Sequence, residues 1–139
     1  MTTKKILVPC GPEGGDLKSV HYALALAERL QAHVVVLEWR ESPANPAPAS
    51  SWLGDALNDV IANARLAGLN LSHLRVTGSP QDEIVSIVED EEIDLLVLNA
   101  DQTQLESAVL RHHPRLLGAV IRVKEKEPMD ISVGGGGWQ

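Results

Sequence analysis

Four stretches carry residues whose types and spacing could do chemistry. Gly11-Pro12-Glu13-Gly14-Gly15 stands between an apolar run and a helical pattern, where a phosphate loop would lie. Pro12 removes an amide donor, Glu13 brings the wrong charge, no Lys follows, and the spacing misses Gly-x-Gly-x-x-Gly, so the segment reads as a turn. Cys10 precedes it. A helix start nearby could lower a thiol pKa, yet no His or Lys adjoins it in sequence, and it reads as a small buried hydrophobe. His112 and His113 are neighbours, which on a helix sets them about 100° apart, not the i, i+4 pair of a zinc helix. They read as a solvated helix end, where His also suits the dipole. Glu89-Asp90-Glu91-Glu92 reads as a solvated surface. No nucleophile and base pair, catalytic carboxylate pair or metal cluster emerges. The chain is therefore expected to have no catalytic residues, no metal and no cofactor, and not to be an enzyme.

The elements that hold these residues are legible from hydrophobic spacing. Val76 to Asn99 (VTGSPQDEIVSIVEDEEIDLLVLN) combines a helix with a buried strand. Ser79 is placed to cap the helix, Pro80 suits its first position, and Asp82 and Glu83 put negative charge in its first turn. Ile84, Ile87 and Val88 form its apolar stripe, and Leu95 to Leu98 is a continuous apolar run typical of a strand covered on both faces. Ile6 to Pro9 is a first strand. Asp16 is placed to cap a helix striped by Val20, Ala23, Leu24, Ala27 and Leu30, and Val34 to Leu37 follows as a second strand. Glu41 to Ser51, rich in Pro, Asn and Ser, reads as an exposed loop, followed by a helix from Trp52 that Gly68 ends and a weaker strand at Leu71 to Val76. Thr103 and Glu106 spell a capping box for a short helix that Pro114 stops. Gly118 to Lys124 is the last strand, with Ala119, Ile121 and Val123 facing one way and Val120 and Arg122 the other.

Composition limits the function. With 139 residues, 44% of them apolar, the chain fits one domain with one core. Its 12 basic and 19 acidic residues give a net charge of -7, which argues against a nucleic-acid partner. One cysteine cannot form an internal disulfide, the first residues lead straight into a strand, and no apolar run approaches a membrane span. A cytoplasmic protein without direct membrane insertion is the expectation.

Val76 to Asn99, with its Gly-x-Pro ahead of an Ile-Val helix and its Asp-Leu-Leu-Val-Leu, resembles the universal stress protein family. Lys4 to Pro9 (KKILVP), His21 to Trp39 and Leu110 to Pro114 (LRHHP) carry the same resemblance. It implies a Rossmann-like, three-layer α/β/α domain over residues 1–124, with a five-stranded parallel sheet in the order 3-2-1-4-5, and leaves 125–139 as a C-terminal tail. It also puts the ligand crevice at the carboxyl ends of the first and fourth strands, where strand order reverses. The residues there are Pro9, Cys10, Gly11, Leu98, Asn99 and Asp101. ATP-binding members end the first strand in Asp and follow the fourth with Gly-x-x-Gly-x9-Gly-Ser/Thr, whose glycines bare amides to the phosphates. Here Gly11 stands in place of the Asp, Asn99 and Gln102 replace the first two glycines, and part of the loop before Leu110 is missing. The ATP motif is lost.

Three functions compete. The first is a non-enzymatic module of stress response or regulation, acting by dimerisation or partner docking without ATP. Its homodimer would pair through Ala119, Val120, Ile121, Arg122 and Val123, as family members commonly pair through the last strand. The tail is either a docking segment, with Trp138 as its anchor on this or another subunit, or a frayed end, as termini commonly are. The second is a nucleotide or adenosine-type sensor, serving as regulatory partner of a transporter or kinase. The third, an enzyme on the same scaffold, has no residue set in its favour.

Overall fold

The computed structural model describes residues 3–10, 17–39, 48–100 and 102–123. Five parallel strands, β1 (Lys5–Cys10), β2 (His33–Trp39), β3 (Leu71–Val76), β4 (Leu95–Asn99) and β5 (Val120–Val123), lie in the order β3-β2-β1-β4-β5, as expected. Between them run α1 (Lys18–Leu30), α2 (Pro48–Leu66), α3 (Pro80–Asp90) and α4 (Thr103–His112), the last followed by a single 3-10 turn at Pro114–Leu116. The three central strands are those with unbroken apolar runs. Ile6, Leu7 and Val8, Val34 to Leu37, and Leu96 to Leu98 are all fully buried, because helices cover both faces of the sheet. The edge strands β3 and β5 are largely half-buried.

Strand alternation divides the core in two. Ile6, Val8, Cys10, Val34, Val36 and Val97 pack under α1 and α2, through Val20, Ala23, Leu24 and Ala27 of one and Leu57, Ile61 and Ala64 of the other. Leu7, Val35, Leu37, Leu96 and Leu98 pack under α3 and α4, against Ile84, Val88, Leu105 and Val109.

Several local readings are corrected. α2 starts at Pro48, four residues before Trp52, so Pro48 to Ser51 are helical and not loop. Pro suits a first helical turn, where its missing N–H has no intrahelical partner to lose. Residues 41–47 lie outside the described residues. Ser79 does occupy the cap position of α3, but its hydroxyl makes no capping bond; its carbonyl accepts from Glu83 N at 2.9 Å. The Thr103–Glu106 capping box does not form. The cap residue of α4 is Gln102, and Glu106 turns into the protein. Ala119 precedes β5 and packs with Val120 against the α3/α4 core, while Ile121 and Val123 face the α1/α2 core. Asp16 is outside the described residues, and the residue at the cap of α1 is Leu17. Gly68 ends α2 as expected, at φ +92°, a left-handed conformation suited to glycine.

Candidate ligand crevice at the strand ends

The order of the strands reverses between β1 and β4, and there the sheet opens. β1 pairs with β2 from Lys5↔His33 to Cys10↔Glu38, and β4 pairs with β5 as far as Asn99↔Val123. The ladder between β1 and β4 covers only Ile6↔Leu95 and Leu7↔Leu96. Beyond those two pairs the last residues of β1 and β4 share no ladder pair, at the carboxyl end of the sheet where open parallel sheets take ligands.

Of the expected site residues, Pro9, Cys10, Leu98 and Asn99 are buried at this place. Alternation sends them to two sides. Leu98 belongs to the α3/α4 core, whereas Cys10 belongs to the α1/α2 core, and Asn99, two residues after Val97, shares that face. Gly11, Asp101 and Trp138 lie outside the described residues, as does the whole tail from 125. In the expected dimer strand, Val120, Ile121 and Val123 are half-buried and Arg122 is exposed.

The turn out of β4 uses its own amides. Asn99 N donates to Gln102 Oε1 at 2.9 Å, Ala100 N donates to the Val123 carbonyl at 2.9 Å, and Gln102 N donates to the Asn99 carbonyl at 3.0 Å. Gln102 thus fills with its side chain the position that a glycine would leave open. The side chain of Asn99 is different: the residue is 6% exposed, and among the described residues its buried Oδ1 has no hydrogen-bond partner.

Two polar networks escaped the sequence reading. At the ends of β2 and β3, buried Glu38 accepts from His73 Nε2 at 2.8 Å and from Arg75 Nε at 3.3 Å, and Arg75 also donates to Asn58 Oδ1 of α2 at 3.0 Å. The signal lay in the parallel register, which sets Glu38 beside Arg75 and Val36 beside His73. On the other face Arg122 donates twice to buried Glu106, Nε to Oε1 at 2.8 Å and Nη2 to Oε2. That hydrogen-bonded pairing holds the guanidinium more firmly protonated than usual. Among the described residues, the guanidiniums of Arg75 and Arg122 at this end of the sheet are thus each bonded to a buried carboxylate.

The two histidines are not simply a solvated helix end. His112 Nδ1 donates to the Ala108 carbonyl at 3.0 Å, and His113 Nε2 donates to the Val85 carbonyl at 3.2 Å, tying α4 to α3. At the amino end of the sheet, His33 Nε2 and Ser72 Oγ share a hydrogen bond of 2.8 Å. Burial and the nearby Lys5 push the His33 pKa down, with Glu91 opposing them. Among the described residues, no group of three or more His, Cys, Asp or Glu is placed to hold a metal ion, and no helix is long and apolar enough to cross a membrane.

Comparison with known proteins agrees with this architecture. The sequence profile described as the Universal stress protein family matches residues 2–120. Among solved structures, a universal stress protein in complex with cAMP matches with a TM-score of 0.63 at 19% identity, over 89% of this chain and 98% of that one. The universal stress protein from Archaeoglobus fulgidus in complex with dAMP matches with a TM-score of 0.64 at 15% identity, over 89% and 100%. A family protein from Arabidopsis thaliana with AMP bound matches with a TM-score of 0.57 at 15% identity, over 94% and 96%. At these identities the likeness is one of fold. No curated protein matches the chain.

Proposed function

This chain belongs to the universal stress protein family, and from that premise we propose that it is a non-enzymatic cytoplasmic module, acting in stress response or regulation through self-association or partner docking, without binding ATP. The observation that carries the reading is the engagement of the amides of Asn99, Ala100 and Gln102 within the protein itself. A phosphate cradle works by presenting free amides to an anion, and these three are already bonded. Losing several charge-assisted bonds, each worth about 1.5–3 kcal/mol, moves a micromolar site to millimolar or weaker. The guanidiniums of Arg75 and Arg122 do not make up the loss, since each is already bonded to a carboxylate. Self-association is supported by β5, a sheet edge with a half-buried apolar face.

A second reading, an adenosine-type ligand sensor regulating a transporter or kinase, is favoured by one observation: the buried, unpartnered Oδ1 of Asn99. The structures of similar fold with cAMP, dAMP and AMP point the same way. A thermal-shift series tests both, because a ligand that binds only the native state raises its melting temperature. Millimolar MgATP is expected to leave the melting temperature unchanged. A rise with MgATP larger than with adenosine overturns the first reading.

A further inference from the structure

We propose that Asn99 makes this crevice a reader of hydrogen-bond donors on an uncharged nucleoside, so that the nucleoside binds at least as well as its phosphate esters. The inference rests on the sensor reading and adds what the site selects. Native structures seldom bury a carbonyl acceptor without a partner. Here such an acceptor stands at the carboxyl end of β4, beyond the last pair of the β1–β4 ladder, where strand order reverses. A ligand donor arriving there satisfies an oxygen that the fold leaves unsatisfied.

The surroundings set the polarity of the site. Cys10 is the register neighbour of Glu38, and Glu38 of Arg75, so Arg75, Glu38, Cys10 and Asn99 mark the carboxyl-end level of their four strands. Among the described residues, Arg75 is held by Glu38 and Asn58, and the amides of Asn99, Ala100 and Gln102 are bonded within the protein, whereas the acceptor of Asn99 is left over. Two groups of an adenine nucleoside can supply the donor, the exocyclic amine of the base or a hydroxyl of the ribose. The shared chemistry is a neutral N–H or O–H donor, and analogues separate the two sources.

The test is calorimetric titration of the full chain with adenosine, inosine, 2′-deoxyadenosine, AMP and MgATP, repeated on Asn99→Leu and Asn99→Asp. Adenosine is expected to bind wild type, with AMP no tighter. Asn99→Leu weakens adenosine by about fivefold or more, the worth of one buried neutral hydrogen bond, while Asn99→Asp keeps an acceptor oxygen and most of the affinity. Weakening with inosine assigns the amine as the donor, and weakening with 2′-deoxyadenosine assigns the hydroxyl. The proposal is overturned if no nucleoside binds, if AMP binds more than about tenfold tighter than adenosine, a full step in binding free energy, or if folded Asn99→Leu binds as wild type does. Should Asn99→Leu fail to fold, the ratio of AMP to adenosine affinity on wild type decides. Weak MgATP with no adenosine binding sinks this inference alone, whereas tight MgATP binding sinks the ATP-free reading.

Discussion

Asn99 carries a cost in stability that the proposed ligand contact would offset. Among the described residues its buried Oδ1 has no partner, and an unsatisfied buried acceptor costs about 1–3 kcal/mol. Asn99→Leu, which keeps the branched heavy-atom shape and removes the orphan oxygen, is expected to raise the unfolding free energy of the ligand-free chain by about 1 kcal/mol. A urea melt checks this; a clearly less stable variant would mean that the amide is satisfied in solution. His33 gives a pH signature. Its folded pKa is lowered by burial and by Lys5, so the unfolded chain binds the proton more tightly. Stability is therefore full above the unfolded value near 6.5 and falls as the pH drops from there through the folded pKa. Lys5, Glu91 and Ser72 face the ring, and of these Glu91 opposes the shift. His33→Gln should flatten the melting temperature between about pH 7 and 5, the range in which an ordinary His titrates. An unchanged slope would place the titration elsewhere.

At the scale of elements, long apolar runs were legible and local side-chain choices were not. The buried runs of β1, β2 and β4 specify central parallel strands because nothing else in so short a chain covers both faces. The Thr103–Glu106 pattern misled because Glu106 has a stronger use 16 residues away, on Arg122, which local pattern cannot reveal. The Glu38 network was hidden for the same reason: its partners lie on β3, more than 30 residues later. Gly68 was legible because a left-handed helix end is a local demand. No atom lies within 4 Å of an added Cβ there, so Gly68→Ala should cost only the backbone strain, about 1 kcal/mol by thermal melt. A neutral result would show that the turn relaxes. In β5, Ala119 and Val123 present their carbonyls to β4, so by alternation the N–H groups of Val120 and Arg122 face away from the sheet. Val120→Pro removes one outward donor and spares the ladder to β4. If the chain pairs through this edge, wild type sediments as a dimer and the variant as a folded monomer. A monomeric wild type, or a dimeric variant, contradicts pairing there. Arg122→Asp would be a poor probe, since it sets a second carboxylate beside buried Glu106.

For the molecule as a whole, strand order places the candidate crevice, and the chemistry of the strand ends carries the proposal for its occupant. The position at the reversal between β1 and β4 was legible once five parallel strands were. What fills it was not, because the fate of an amide depends on contacts such as Gln102 Oε1 on Asn99 N and the Val123 carbonyl on Ala100 N. Structures of similar fold are described with cAMP, dAMP or AMP, while in this chain the amides of Asn99, Ala100 and Gln102 are bonded within the protein. The measurement that tests this most directly is calorimetric titration of the full chain with MgATP. The account predicts no saturation below about 1 mM, the affinity left when several charge-assisted bonds are lost from a micromolar site. Saturable binding in the micromolar range would contradict it.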